Sequence, residues 1–334
     1  MKILILQLKR IGDLILTTPA MRALREAYPS AKITLLADAS CRSLLETMPV
    51  DEWLVNEKTK GLLPSVVDKD RKDQSLSQLG FDWCLDFTGS DRSTWFTFAS
   101  NAPNRATFAR FGKKMLKRMA YSQFVDSSVR HRHTADHYTD LLKALEIERE
   151  GVPLDLRVPD GANDAVVRLL AEEKVPRPFA VIHAGTARPE KYWLPERWAE
   201  VAEYLHNKHH LGIVLTGSKD AAEQEHLAKI RAVIKVPVSD LSARTNLTAL
   251  AALIAKATIF CGVDTAAMHL ADAVGTPTLA LFGITNPFHW RPRQTRSIVL
   301  RADTVEPFVP GQKGGPMADI PTDVVIAGMK TLLD

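Results

Sequence analysis

Three observations on the sequence predict an α/β protein with two doubly wound domains. Short apolar, β-rich runs alternate with helical patterns along all 334 residues. The alternation is interrupted once, at 148–178, where glycine and proline cluster. The chain also exceeds the roughly 250 to 300 residues at which a single core stops growing. We expect an N-terminal domain at 1–160, a C-terminal domain at 161–322 and a last helix at 323–334.

The elements follow in order along each domain. The first domain has predicted strands at 2–8, 32–37 and 82–87, with helical periodicity at 20–28 and 133–147. A short helix at 164–173 falls in the interruption. The second domain has predicted strands at 179–184, 211–217, 257–263 and 278–283, with helices at 195–208, 223–230 and 248–256. Because ligands of open parallel sheets bind where strands end and helices begin, the loops after these strands are the first candidates for a site.

Composition narrows the class of protein. A hydrophobic fraction of 46% and a charged fraction of 25% are typical of a soluble globular protein and exclude disordered and fibrous classes. The three cysteines lack paired spacing, which indicates free thiols in a reducing compartment. The opening apolar run is too short for a signal peptide, and no stretch approaches the ~20 apolar residues of a membrane span. We expect a cytoplasmic protein.

Charge is concentrated in one segment. The net charge of +4 is too small to indicate nucleic acid. The segment from Arg105 to Arg132, however, contains eight lysine and arginine residues and only one acidic residue, Asp126. This segment is either a solvated helix face or a contact for a polyanionic partner or a membrane surface.

The loop IGDLILTTPA follows the first strand. Gly12 permits a sharp turn, so Asp13 is expected at the carboxyl end of the strand, at or before a helix start. Asp13 could simply cap that helix, as aspartate often does. Because Thr17 and Thr18 are also available as caps, the position favours a functional role for Asp13.

The loop HAGTARPEKYW follows the strand 179–184 and carries Thr186, Arg188 and Lys191. It matches neither of the glycine-rich phosphate motifs GxxxxGK[ST] and GxGxxG. Small residues and two cations after a buried strand still suit a diphosphate, with Lys191 as a compact charge. The alternative is an exposed loop with ordinary surface charges.

The loop and helix CGVDTAAMHLADAVG form the strongest candidate. Asp264 and Thr265 occupy N-cap positions of the predicted helix. The backbone N–H groups of Ala266 and Ala267 then point out of a helix N-terminus, which suits an anion. We expect Asp264 to accept hydrogen bonds from sugar hydroxyls beside the phosphates. His269 is either a core histidine or a ligand contact.

Together and in this order, these loops resemble the ADP-heptose:lipopolysaccharide heptosyltransferases of glycosyltransferase family 9. The matching stretches are IGDLILTTPA, RPEKYWLPERWAEV, DLSARTNLTALAALIAKA and GVDTAAMHLADAVGTPTLALFG, followed by NPFHWRPR. The segments HTADHYTDLLKALEI and FHWRPR are most similar to the heptosyltransferase III-like branch. The resemblance implies a GT-B fold, with two Rossmann-like doubly wound domains facing across a cleft and a C-terminal helix packing back toward the first domain.

The resemblance also implies the activity. It implies an inverting, metal-independent glycosyltransferase that moves heptose from ADP-heptose, held by the C-terminal domain, to the lipopolysaccharide inner core, held by the N-terminal domain. No cofactor and no nucleic acid are expected as partners. Contact with the inner-membrane surface is compatible with the resemblance.

Site residues carry over position by position from the resemblance. Asp13 matches the proposed catalytic base, and Lys191 matches the lysine at the donor phosphates. Further donor contacts are implied at Thr186, Thr245, Asp264, Thr265, Ala266, Ala267 and His269, and at either Asp220 or Glu223. The acidic acceptor is expected on the basic segment, at Arg105, Lys113 and Lys114. Ala266 departs from a glycine that the family often has, which narrows the room for the donor there.

Several alternatives stay open. HRHTADH at 131–137 is similar to the HxHxDH zinc motif of metallo-β-lactamase-like hydrolases but has one residue too many. DKD at 68–70 resembles the DxD metal clamp of some glycosyltransferases but lies in a polar run. A GT-B enzyme with another nucleotide sugar and acceptor, or a non-catalytic nucleotide-sugar-binding protein, would share the same donor loops. Asp13 argues against the last, because a base is useless for binding the donor alone.

Overall fold

The computed structural model describes residues 1–57, 65–67, 75–113, 115–302, 307–312 and 314–334. Contacts within the chain divide it into two compact units, Met1–Arg157 and Val158–Asp334. None of the helices in the described part of the chain combines the length with the apolar composition that crossing a bilayer needs.

The first unit is a seven-stranded sheet with helices between the strands. Its strands are β1 (Lys2–Gln7), β2 (Lys32–Asp38), β3 (Glu52–Glu57), β4 (Ser65–Val67), β5 (Trp83–Asp86), β6 (Asn104–Phe108) and β7 (Gln123–Val125). Its α-helices are α1 (Ile11–Ile15), α2 (Thr18–Ala27), α3 (Asp91–Ala99), α4 (Met115–Ala120) and α5 (Thr134–Thr139). The strand order is β4-β3-β2-β1-β5-β6-β7, and the pairs are parallel except for the antiparallel edge pair β3–β4.

The second unit is a six-stranded parallel sheet. Its strands are β8 (Phe179–His183), β9 (Gly212–Leu215), β10 (Val238–Asp240), β11 (Ile259–Val263), β12 (Thr278–Phe282) and β13 (Ser297–Arg301). Its helices are α6 (Asp160–Glu172), α7 (Pro195–His209), α8 (Ala221–Val233), α9 (Leu247–Ala255), α10 (Ala266–Ala273), α11 (Pro287–Trp290) and α12 (Thr322–Leu333). The strand order is β10-β9-β8-β11-β12-β13. The order of successive strands reverses direction between β8 and β11, which is the topological switch point of the sheet.

The central strands are buried on both faces, which explains their continuous apolar sequences. Every residue of β8, β11 and β12 is buried, as are Ile3 to Gln7 of β1. The carboxyl ends of β1 and β5 lie side by side in the first sheet, and those of β8 and β11 lie side by side in the second. The doubly wound α/β class predicted from the sequence is confirmed.

The last helix is an integral part of the second unit. α12 packs against α7, β12 and β13, with Val325 and Met329 fully buried. A side chain at Gly328 would meet Leu279 at 3.0 Å, so the glycine permits this close approach. The Trp193 indole N–H donates to the carbonyl of Ile320 at 3.0 Å, just before the helix. These contacts show what the last helix packs on within its own unit, and its packing toward the first domain stays a prediction.

Candidate active site

Asp13 lies in the first turn of α1, directly after β1, and is partly exposed. The N-cap of α1 is Arg10 and that of α2 is Thr17, and neither makes a side-chain cap hydrogen bond. The Asp13 carboxylate instead accepts a hydrogen bond from the hydroxyl of Tyr138, on α5. The helix-capping interpretation of Asp13 is therefore not supported, because a distant residue engages its carboxylate.

Lys9 and Tyr138 complete the surroundings of Asp13. The Lys9 ammonium donates to the Tyr138 hydroxyl at 3.2 Å and lies 5.1 Å from the centre of its ring. Burial and the Asp13 charge hold the pKa of Tyr138 well above its ordinary value, so the phenol keeps the proton that it donates. Burial lowers the pKa of Lys9, and the Asp13 charge opposes that effect. Asp13 is thus held by a protonated phenol beside a desolvated cation.

Asp86 ends β5 and is fully buried. Its carboxylate accepts hydrogen bonds from the backbone N–H of Thr88 at 2.8 Å, that of Gly89 at 3.0 Å and the hydroxyl of Tyr121 at 2.6 Å. The Thr88 hydroxyl in turn accepts from the N–H of Leu8 at 2.8 Å. Burial raises the pKa of Asp86. Asp86 therefore organises the loop that lies beside the Asp13 loop.

The side chains of the basic segment differ in their contacts and exposure. The guanidinium of Arg105 donates to the main-chain carbonyls of Ala102 and of Ala120, the latter at 2.7 Å. Arg105 thus has a structural role near the start of β6, and its contact with the acceptor stays a prediction. Lys113 is exposed, and Lys114 lies outside the described residues.

Arg110 is a cation near Asp13 that lies in none of the matched sequence motifs. Its guanidinium lies 4.6 Å from the centre of the Phe111 ring. Burial lowers the pKa of Arg110, and the charge of Asp13 opposes that effect. Arg110 is therefore a further candidate cation near Asp13.

In the second unit, Lys191 and Asp264 form a buried ion pair. The Lys191 ammonium donates to the Asp264 carboxylate at 2.6 Å and to the Asp264 carbonyl at 2.9 Å. Each side chain is 9% exposed. Lys191 follows β8 and Asp264 follows β11, which are adjacent strands, so the sheet itself brings the two predicted residues together.

The N-terminus of α10 begins beside this pair. Thr265 is the N-cap residue but makes no side-chain cap hydrogen bond, and its hydroxyl has no partner within the described residues. The Thr265 side chain therefore leaves the first N–H groups, at Ala266 and Ala267, uncapped, and such groups at a helix N-terminus suit an anion. His269 is buried one turn further on.

The structure separates the roles of Asp220 and Glu223. Asp220 is the N-cap of α8 and accepts from the N–H groups of Ala222 and Glu223, at 3.0 and 3.2 Å. Glu223 is buried against the loop after β8, since a Cβ at Gly185 would lie 2.2 Å from its carboxylate oxygen. Glu223 also accepts from the N–H of Ser218 at 2.8 Å.

Two further donor candidates lie on loops of this edge. Thr186 is buried next to Gly185 and accepts from the N–H of Arg188 at 3.3 Å. Thr245 lies before α9 and is partly exposed. Its segment is held to the loop after β9 by a hydrogen bond of 2.8 Å from the Ala243 N–H to the Gly217 carbonyl. The second unit thus carries the donor candidates on neighbouring loops.

Two of the three histidines of HRHTADH, His133 and His137, contribute to α5 and its packing. His133 is the N-cap residue of α5 and accepts from the N–H of Ala135 at 3.2 Å. His137 stacks on Phe108 with ring centres 4.1 Å apart. Across the described ranges, no group of three or more metal-binding side chains is found. The DKD motif at 68–70 falls outside those ranges.

Comparison with known proteins identifies similar chains. The sequence model of glycosyltransferase family 9 (heptosyltransferase) matches residues 71–309, which is more than half of the chain. Lipopolysaccharide heptosyltransferase 2 of Salmonella typhimurium is 27% identical over 91% of this chain and 89% of its own length. Lipopolysaccharide heptosyltransferase 3 of Escherichia coli K12 is 25% identical, covering 84% and 82% of the two chains.

A solved structure confirms the fold. The E. coli ADP-heptose lipopolysaccharide heptosyltransferase II superposes with a TM-score of 0.78 at 22% identity, covering 100% of this chain and 98% of that one. The predicted GT-B fold class and the family resemblance seen in the motifs are both confirmed.

Proposed function

Because the chain belongs to glycosyltransferase family 9 and is a glycosyltransferase, we propose that it transfers heptose from ADP-heptose to the inner core of lipopolysaccharide. Its relatives are named as lipopolysaccharide heptosyltransferases, and one solved structure is that of an ADP-heptose enzyme. The structural observation that most supports the proposal is the Asp13 carboxylate, which follows β1 and accepts a hydrogen bond from Tyr138. A base held in this way is of use to catalysis, whereas donor binding does not need it.

Asp13 is proposed as the general base. Its carboxylate takes the proton from an acceptor hydroxyl as the oxygen attacks the anomeric carbon of heptose. The bond from that carbon to the diphosphate oxygen breaks on the opposite side, and its electron pair leaves with ADP, so the configuration inverts. Tyr138 fixes the carboxylate, and Lys9 adds positive charge beside it.

The departing diphosphate is stabilised by groups of the second unit. Lys191 supplies a positive charge, and the uncapped N–H groups of Ala266 and Ala267 supply fixed dipoles. These donors can neutralise the developing charge, so the proposed reaction requires no metal. Lys191 donates to the carboxylate and the carbonyl of Asp264, and we propose that its third N–H group binds the phosphates.

The remaining assignments concern recognition. Contacts to the donor are proposed for Thr186, Glu223, Thr245, Asp264, Thr265 and His269. The sequence left open whether Asp220 or Glu223 contacts the donor. Glu223 is favoured, because it is buried against the loop after β8, whereas Asp220 caps α8. For the anionic acceptor we propose Lys113, Lys114 and Arg110. We also propose that the enzyme works in the cytoplasm as a peripheral protein of the inner membrane, where a lipid-linked acceptor lies.

One experiment tests the proposal. The purified enzyme is incubated with ADP-heptose and heptose-deficient core acceptors, and the products are analysed by mass spectrometry. We expect one heptose added per acceptor together with release of ADP. Parallel reactions contain other nucleotide sugars; transfer from one of those, without transfer from ADP-heptose, would contradict the donor assignment. Donor binding without transfer to any acceptor would favour the non-catalytic alternative.

A further inference from the structure

Two neighbouring helices of the first unit expose large apolar side chains. Trp95 and Phe98 lie one turn apart on α3, and Met115 and Met119 lie one turn apart on α4. Their exposed fractions are 39% and 72%, and 80% and 70%, respectively. Because α3 and α4 pack against each other, the four side chains belong to neighbouring helices. We call them the α3–α4 apolar patch.

The exposed side of α3 differs from the polar outer face of an ordinary amphipathic helix. α3 already buries Phe96 completely on its inner side, so it is apolar on two faces. Soluble proteins expose single apolar side chains commonly, but grouped ones mark an interaction surface. Hydrogen bonds hold the two helices in place, including the contact of 2.9 Å between the hydroxyls of Thr94 and Tyr121.

The charges around the patch indicate what covers it. Arg92, Lys113 and Arg118 are exposed on the same helices and the preceding loop. The acid at the start of α3, Asp91, is paired with Lys117 at 2.9 Å. Exposed aromatic and aliphatic side chains on segments that also carry exposed cations suit the headgroup region of an anionic bilayer. A second copy of this chain fits less well, because a twofold interface would bring the same cations together.

We propose that the α3–α4 apolar patch docks the enzyme on a membrane surface that contains anionic lipid. The apolar side chains enter the boundary between headgroups and acyl chains, while the cations bind the headgroups. This inference rests on the peripheral membrane association proposed above and assigns it to one surface; docking on lipid does not itself require heptose transfer.

Vesicle binding by the full-length protein tests the proposal. Sedimentation is measured with vesicles of equimolar phosphatidylcholine and phosphatidylglycerol, and with phosphatidylcholine alone. We expect binding to the anionic vesicles that weakens with salt. Phe98→Ser combined with Met119→Ser should weaken binding by about tenfold through lost apolar burial. Arg118→Gln should weaken it by about fivefold through the lost charge.

α6 offers matched controls, because Val167 and Arg168 are an exposed apolar residue and an exposed cation on a helix of the second unit. Val167→Ser and Arg168→Gln should leave vesicle binding unchanged. Turnover of a lipid-free core oligosaccharide should be the same for the Phe98 and Met119 variants as for the wild type, which separates docking from catalysis.

Four results would overturn the inference. These are no binding of the wild type to anionic vesicles, equal losses in the α6 controls, loss of turnover on the lipid-free acceptor, and self-association that the patch variants abolish without any vesicle binding. Vesicle binding that depends on the patch in a protein that transfers no heptose would refute the proposed function and leave the docking inference standing.

Discussion

At the scale of single residues, the catalytic candidate depends on its neighbours across the first unit. Asp13 and Tyr138 are 125 positions apart in the sequence, and their hydrogen bond exists only because α5 packs beside the loop after β1. The bond orients the carboxylate and leaves its second oxygen for substrate. Removing the charge of Asp13 should therefore affect the chemical step more than donor binding.

Asp13→Asn is expected to lower kcat by about a hundredfold or more, which is the ordinary contribution of a general base. ADP affinity, measured by calorimetry, should stay unchanged, because the donor candidates lie on other loops. Asp164→Asn, a change at an exposed aspartate of α6, serves as the control and should keep full activity. Near-normal turnover of Asp13→Asn would show that another group is the base.

The buried pair of Lys191 and Asp264 makes a second prediction at this scale. Lys191→Met or Asp264→Asn alone should lower the free energy of unfolding by about 3 to 5 kcal/mol, because each leaves an uncompensated buried group. The double variant should lose less than the sum of the two, as residues in contact are coupled. Denaturant unfolding of the four proteins measures this coupling; strictly additive losses would mean that the pair contributes no interaction.

At the scale of elements, α5 is tied to the sheet by a neutral histidine. His137 stacks on Phe108 of β6, and its Nδ1 lies 2.8 Å from the Ser127 hydroxyl. Burial, together with the positive charges of Arg110 and Lys9, lowers the pKa of His137 from 6.5 to about 3, against the opposing charge of Asp140. Protonation of this ring is therefore favoured in the unfolded chain.

The stability of the first unit should fall as the solution is acidified. Between about pH 6.5 and about pH 3 the unfolded chain binds a proton at His137 that the folded chain does not. The free energy of unfolding should thus decrease by about 1.4 kcal/mol per pH unit from this group alone. His137→Gln should remove that slope in urea unfolding series from pH 7 to pH 5. Equal slopes in the two proteins would contradict the assignment.

Sequence patterns predicted the central elements and missed the edges. β1, β8, β11 and β12 are continuous apolar runs because helices cover both of their faces, so composition alone identifies them. β10 has the sequence VSD and is only partly buried. Such edge strands carry no apolar signature, and their pairing is decided by tertiary contacts.

The same distinction holds for the candidate site. Asp13, Lys191 and Asp264 could be predicted because each follows a recognisable strand at the ligand-binding edge. Tyr138, Lys9 and Asp86 could not, since their roles arise from contacts between segments far apart in the sequence. The contacts of Arg105 with the carbonyls of Ala102 and Ala120 were equally hidden, because a basic residue in the sequence does not show which main-chain groups its side chain meets in the fold.

At the scale of the whole molecule, the two compact units carry different proposed ligands. The donor candidates all belong to Val158–Asp334, and the proposed base belongs to Met1–Arg157. Ligand binding should therefore stabilise the units unequally.

ADP is expected to slow amide hydrogen exchange at 183–191 and 263–269, because these loops hold the diphosphate candidates. At a concentration of 100 times its Kd, ADP should stabilise the second unit by about 2.7 kcal/mol. AMP, which lacks the second phosphate, is the matched control and should protect 263–269 less. Protection confined to the first unit would contradict the donor assignment.

The position of α12 also governs how the protein is made. β12 and β13 present Leu279 and Ile298 to the helix that covers them, and α12 is translated after both strands because it follows them in the chain. Until α12 has emerged from the ribosome, these strands lack their apolar cover. A nascent chain at that stage exposes hydrophobic surface and should be especially prone to aggregation and to chaperone binding.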